Sequence, residues 1–288
     1  MKDISVLTDL SNDLFLDIFD YIDVCHLFKA FTNLNQRFNL LINNRRISFQ
    51  ANLIPVNFEE FEMYKNVILP KIGGFIRYLT ISDELNYLQT ILRSISLTNL
   101  ISVRLYDVKL NELRRILEDC KLKYLFINTK YIQNERDLNK LFQCLFNQQS
   151  YLRSIQCHFH TNLYFIEDKY RLSQLHRVVI DCECFSSDFI VLISQLTKLR
   201  HISARINDYY RELMDKDVNH LIGSESLRSV ILHIENIEQN RLLFVLSLIP
   251  NVKQLELNGK IDFDINHLLE FKRNFTSFRC NLHHYLTF

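Results

Sequence analysis

Five side chains in the middle of the chain are of types that hold a metal: Cys157, His158 and His160, then Cys182 and Cys184. Thiolates and imidazoles are the ligands of tetrahedral zinc. They would converge only if the two stretches lay on adjacent, stacked units. Two features argue against that use. No CxxC pair occurs, and Cys157 falls where strand alternation turns a side chain inward, so it reads as a small hydrophobe. His283-His284 has no acid in an obvious register. There is no glycine-rich phosphate loop, no HExxH and no GxSxG. Neither a metal nor a cofactor is expected, and catalysis is not the expected activity.

The elements that would position these residues repeat along the chain. One pattern (an apolar residue, two variable, an apolar, one variable, an apolar) begins nine times, at Ile76, Leu100, Leu122, Leu152, Leu175, Leu199, Leu227, Val252 and Phe275. Its middle and final members are Leu79/Ile81, Val103/Leu105, Leu125/Ile127, Ile155/Cys157, Val178/Ile180, Ile202/Ala204, Val230/Leu232, Leu255/Leu257 and Phe278/Cys280. The intervals run from 22 to 30 residues. A period in the twenties with this core is the mark of leucine-rich repeats. Members two apart face one side of an extended segment. Helical spacing follows, as in Leu85, Leu88, Ile91, Leu92 and Ile95, or Phe189, Leu192, Ile193 and Leu196. The expected fold is α/β, a leucine-rich-repeat solenoid with a parallel sheet on its concave side and helices on its convex side. Such an array offers a long face rather than one cleft, which favours binding over catalysis.

The array is irregular. Intervals of 30 and 28 residues contain the polar stretches Gln133–Asn139 and Asn207–Asp217. These predict insertions at the turn or longer helices. The asparagine usual three residues past the final apolar position occurs once, at Asn207. A divergent first repeat is expected over 45–75, from the alternation of Ile47 and Phe49 and the helical spacing of Phe58, Phe61, Tyr64, Val67 and Ile68. Pro55 starts its helix, and Pro70 with Gly73 and Gly74 ends it. The solenoid therefore spans 45–288, and the tail Tyr285, Leu286 and Phe288 is expected to cover its last edge.

This register separates core from contact residues. Tyr78, Tyr106, Tyr124 and Phe126 alternate with inward positions and are expected to gather, with Arg104 nearby. His158 and Arg205 share that face. Exposed aromatics with arginine have the composition of binding hot spots, and a protein or peptide with an apolar or acidic anchor is the expected ligand. Alternatively the tyrosines lean on one another or under a loop. Arg77, Lys123, Arg153, Arg200, Arg228 and Lys253 follow the first apolar position and predict a basic stripe along one edge. It is either a solvated rim or a contact for phosphopeptide or nucleic-acid backbone.

Charge is balanced, with 34 Lys and Arg against 33 Asp and Glu. The whole chain thus has no pull toward nucleic acid or anionic membrane, and neither is an expected partner. The apolar run Leu242–Ile249 is far short of a membrane span. The first residues carry early acids and no apolar core, so no secretory signal is expected. Seven scattered cysteines then read as reduced thiols of cytosol or nucleus.

Residues 1–44 have no strand signal and predict a separate small domain of three helices. Ser11 is a candidate N-cap. Leu10-Ser11-Asn12-Asp13-Leu14-Phe15-Leu16-Asp17-Ile18-Phe19-Asp20-Tyr21-Ile22, Leu27-Phe28-Lys29-Ala30-Phe31 and Leu34-Asn35-Gln36-Arg37-Phe38 resemble an F-box. Ser11 stands where that family has proline, and Asp13 where it has glutamate. An F-box before leucine-rich repeats is the layout of F-box/leucine-rich-repeat proteins. The resemblance implies the substrate-recognition subunit of an SCF-type cullin–RING ubiquitin ligase, docked on the Skp adaptor and presenting a protein substrate without doing chemistry. It implies that Leu10, Leu14, Ile18, Phe19, Ile22, Leu27, Phe31, Leu34 and Phe38 form the adaptor-facing and packing set. The alternative is a ubiquitin-independent repeat scaffold whose N-terminal helices are an end cap.

Overall fold

Strand and helix alternate along the chain in a computed structural model that describes residues 9–43, 49–54, 57–83, 88–95, 99–132, 134–148, 151–159, 174–208, 224–261 and 275–284. Within each unit the strands pair in chain order, β1 to β3 and β4 to β10, and every ladder given below is parallel. Two compact units divide the chain: Met1–Val108 with Glu118–Leu122, and Lys109–Leu117 with Lys123–Phe288.

The first unit opens with three short helices, each started by a side-chain cap. Ser11 Oγ accepts the Leu14 N–H at 3.2 Å at the head of α1 (Asn12–Phe19). Asp23 accepts from Cys25 N–H before α2 (Val24–Phe31), and Asn35 accepts from Phe38 N–H before α3 (Gln36–Ile42). The serine in the proline position therefore satisfies one of the free donors at a helix start. Phe15, Phe19, Phe31 and Phe38 form one ring cluster, with Phe15 and Phe38 edge-to-face at 4.9 Å. Arg37 ties the segment shut: it donates to Asn12 Oδ1 at 2.7 Å and to the Leu10 carbonyl, and lies over the Phe15 ring.

A strand, β1 (Phe49–Leu53), comes next and pairs with β2 (Ile76–Ser82), with Phe49, Ala51 and Leu53 buried. The divergent repeat thus has its expected strand at Phe49; Ile47 and Pro55 lie outside the described residues. Its helical part is α4 (Phe58–Met63), a π-wound turn Tyr64–Ile68, α5 (Leu69–Ile72) and a 3₁₀ turn Gly73–Phe75. Gly73 caps α5 as expected, but Pro70 does not end the helix and sits in the first turn of α5. The preceding turn is widened, so that Leu69 N–H reaches back to the Tyr64 carbonyl, and this loosening accommodates the missing proline donor. β3 (Ser102–Tyr106) pairs with β2, setting Leu79 beside Val103 and Ile81 beside Leu105. Between them α6 (Leu88–Ser94) buries Leu88, Ile91 and Leu92; Leu85 lies outside the described residues.

One carboxylate joins the helices of this unit to its sheet edge. Besides capping α2, Asp23 accepts the Tyr64 hydroxyl on Oδ1 at 2.8 Å and the Asn52 N–H on Oδ2 at 2.7 Å. Gln50 Nε2 donates to the Asp20 carbonyl at 3.1 Å. Burial beside the Asp23 charge raises the Tyr64 hydroxyl far above its ordinary range, so it stays a donor.

The second unit carries β4 (Tyr124–Thr129), β5 (Ser154–Phe159), β6 (Arg177–Cys184), β7 (His201–Asn207), β8 (Ser229–Glu235), β9 (Gln254–Ile261) and β10 (Ser277–His284). Leu125, Ile155, Val178, Ile202, Val230, Leu255 and Phe278 are successive partners, as are Ile127, Cys157, Ile180, Ala204, Leu232, Leu257 and Cys280. All but the final pair are buried. Phe278 and Cys280, on the last described strand, stay half-exposed. Helices α7 (Leu110–Asp119), α8 (Glu135–Gln148), α9 (Ser186–Gln195) and α10 (Gln239–Ser247) complete the repeats. The 14-residue α8 accounts for the 30-residue interval: its polar start is helix rather than a loop. Most of the 28-residue interval and the tail Tyr285, Leu286 and Phe288 lie outside the described residues.

In place of an asparagine ladder, buried polar residues at the strand exits satisfy the turns. Asp83 takes the Leu88 N–H at 3.2 Å, and Asp208 takes the Ser186 N–H at 2.8 Å. Asn207 instead points to the open face of the sheet, donating to Glu183 at 3.1 Å. At Gly259 φ is +124°, and a Cβ would stand 2.0 Å from the Ile234 carbonyl, so only glycine lets β9 pass β8 there. Leu125→Ala or Leu255→Ala, each removing a stacked buried side chain, should cost about 2–5 kcal/mol. Urea unfolding measures this, and unchanged stability at either site would overturn the register there.

Candidate functional site

Strand alternation sets the open face of the sheet. In the first unit Tyr78 and Arg104 are exposed, and Tyr106 is half-exposed. Tyr78 pairs with Ser102, and Tyr106 with Ser82. The two tyrosines are thus four positions apart along the strands, roughly 13 Å at the rise of parallel strands, and do not gather as expected. The other expected contact residues, Tyr124, Phe126, His158 and Arg205, belong to the second unit.

There the open face carries a connected polar cluster. The Phe126 ring lies 5.3 Å from the His158 ring. His158 Nδ1 meets Asp181 Oδ2 at 2.8 Å, and Arg205 donates to Asp181 Oδ1 at 3.1 Å. Gln156 Nε2 lies 2.9 Å from His158 Nε2. A proton on Nδ1 suits both contacts, donating to the carboxylate while Nε2 accepts from the amide. Farther out, Asn207 bridges Glu183 and Asn236.

Asp181 is the pivot, and the set read from the sequence omits it. It continues the alternation of β6, facing out after buried Ile180, and it partners His158 of β5 in regular register. Ile180 partners Ala204, but the next pair along is Glu183 with Arg205, so Asp181 and Cys182 are extra residues on the β6 side. A bulge re-aims side chains. This one leaves Asp181 beside His158 of β5 but shifts Arg205 of β7 opposite Glu183, and the Arg205 side chain still reaches Asp181. Because two residues are added, alternation survives: Cys182 and Cys184 stay buried and Glu183 faces out. No periodicity signal betrays such a bulge.

The same alternation separates the thiols from the imidazole considered as zinc ligands. Cys157 is buried while its neighbour His158 lies on the open face; His160 is outside the described residues. Burial pushes the Cys182 thiol up to about 12 and lifts Cys157 and Cys184 well above the ordinary range, so these thiols favour the neutral form. Among the described residues no three His, Cys, Asp or Glu side chains gather to hold a metal, and no helix is long and apolar enough to cross a membrane.

Farther along the face, a depression of about 240 Å³ over β8–β10 is lined by Ser229, Ile231, Gln254, Glu256, Ser277 and Arg279. His201 Nδ1 contacts Ser229 Oγ at 3.1 Å beside it. Partial burial, with Arg177 nearby, holds the His201 imidazole below its usual range.

With this arrangement in view, the chain is similar to a solved leucine-rich repeat-containing protein, LegL7 from Legionella pneumophila. Identity is 12%, the match covers 88% of this chain and 80% of that one, and the TM-score is 0.39. Neither the family models nor the characterised proteins compared with the chain give a match.

Two outcomes follow. Exposed ion pairs are worth about 0–1 kcal/mol, so Asp181→Ala should leave urea stability within about 1 kcal/mol of wild type. A loss well above that would make the cluster a structural brace instead. His201 acts through linkage. The unfolded imidazole takes its proton near 6.5, the folded one only at lower pH. Between those values the unfolded chain binds the extra proton, so stability falls as pH drops through that window and levels off beneath it. His201→Asn should flatten that part of the stability–pH curve in chemical unfolding.

Proposed function

We propose that this chain is the substrate-recognition subunit of an SCF-type ubiquitin ligase. Its N-terminal helices dock the Skp adaptor, and through it the cullin–RING ligase. The open sheet face, centred on Phe126, His158, Asp181 and Arg205, binds a protein substrate. In this reading the chain positions its partner and performs no chemistry.

The observation that carries the reading is apolar surface left uncovered on α1–α3. Within the expected adaptor set, Phe19, Leu27 and Phe38 are buried and hold the three helices together. Leu14 is 43% and Leu34 is 58% exposed, while Leu10, Ile18, Ile22 and Phe31 are half-buried. Leu40 and Tyr21 add to the exposed apolar surface. A helical segment with its own phenylalanine core has no internal need for exposed leucines, and such surface marks an interaction site. The segment also precedes a repeat array, as the resemblance requires.

A second reading draws on Asp23. The carboxylate that caps α2 also holds the backbone of β1, which is what an end cap for a repeat scaffold does. Capture on immobilised Skp adaptor separates the two. Wild type should be retained, and Leu14→Asp and Leu34→Asp should each lower retention at least about tenfold, as losses at interface hot spots do, with unchanged circular dichroism. Failure of the folded wild type to bind would remove the ligase reading and leave the cap.

A further inference from the structure

The column of residues at which the strands of the second unit begin is not absorbed by either reading. Backbone hydrogen bonds stack it directly: Arg153 N–H donates to Lys123 O, His176 to Arg153 O, Arg200 to His176 O, Arg228 to Arg200 O, and Lys253 to Arg228 O, all at 2.8–2.9 Å. The column is therefore a rigid row with one position per strand, spaced by the roughly 4.8 Å between paired strands. Lys123, Arg153, Arg200, Arg228 and Lys253 are exposed, and His176 is half-exposed. Lys198 joins them, donating to Gln174 at 3.3 Å.

Charge is segregated here to a degree that the balanced chain does not suggest. The described loops leading into β5–β10, together with Lys123, hold six Lys and Arg, and Glu225 is their one acid. The cations have little internal use. Lys123, Arg153, Arg200 and Lys253 have no ion pair among the described residues, whereas Arg205 on the open face is paired with Asp181. Arg228 differs, since its Nη1 reaches the carbonyls of Glu225, Leu227 and Asn251. Like charges held in a fixed row repel one another, and an anionic chain laid across them relieves that repulsion.

We propose that this margin is a docking edge for an acidic, extended segment of a partner protein, rich in Asp and Glu, lying across the strands. From Lys123 to Lys253 there are five strand steps, roughly 24 Å, which about seven residues of extended chain cover. Single-stranded nucleic acid fits less well, because its sites interleave cations with stacking rings. The exposed tyrosines along this row, Tyr124 and Tyr151, stand at one end; beyond them the rings are two half-exposed imidazoles, His176 and His201, and Ser154, Arg177, Ser229, Gln254 and Ser277 offer none. The edge is distinct from the α1–α3 surface, so it is tested without any adaptor.

The probe is a fluorescent peptide of about ten residues, mostly glutamate, titrated into the full chain by anisotropy at about 50 and 200 mM salt. Wild type should bind, more weakly at the higher salt. The triple variant Arg153→Glu/Arg200→Glu/Lys253→Glu should lose at least about tenfold in affinity, and the corresponding glutamine variant should lose less. Lys140→Glu on α8, a single charge reversal of the same kind elsewhere, should bind as wild type does. The proposal is overturned if wild type does not bind at low salt, if the folded glutamate and glutamine variants bind unchanged, or if an oligothymidylate of equal charge binds more tightly than the peptide.

Discussion

A strand and a short helix of about two dozen residues cannot keep their own leucines dry. Each repeat exposes an apolar flank, which is buried only when the next repeat presents the same side chains at the same height. Everything else in the array depends on that matching. It explains why Leu125, Ile155, Val178, Ile202, Val230 and Leu255 are direct ladder partners, although the chain between them varies in length. Interval length is free, since insertions fall in helices and turns. Strand register is not free, because a slip of one residue would turn a leucine outward.

This division of freedom decides where function can sit. The outward positions of the same strands bear no packing constraint, and they hold the ring, imidazole, carboxylate and guanidinium of the β4–β7 cluster. The bulge in β6 shows how the constraint is met while the face is altered. An even number of residues is inserted, so Cys182 and Cys184 stay inside while Glu183, rather than Asp181, comes opposite Arg205. One extra residue would have buried Glu183 and exposed a thiol.

What could be read beforehand follows the same line. Inward residues were legible because their types and their fixed spacing both report burial, and the divergent strand at Phe49 was legible for the same reason. Cross-strand and long-range polar contacts were not. The partners of Asp23 lie 29 and 41 residues away at Asn52 and Tyr64, and no local pattern joins them. The helical stripe of α1–α3 marked apolar residues correctly but could not divide buried Phe19, Leu27 and Phe38 from exposed Leu14 and Leu34. That division depends on how three helices close on one another. Tyr78 and Tyr106 were grouped by strand adjacency, yet their positions along those strands keep them apart.

The Asp23 contacts have a mechanical meaning. Two oxygens of one side chain hold the start of α2, the backbone of β1 and a buried tyrosine on the following helical turn. The N-terminal helices therefore do not swing from the sheet on a tether. A pull on them is delivered straight into the backbone of the first strand. Whatever grips those helices takes a set bearing on β1, as a handle brazed to a blade does.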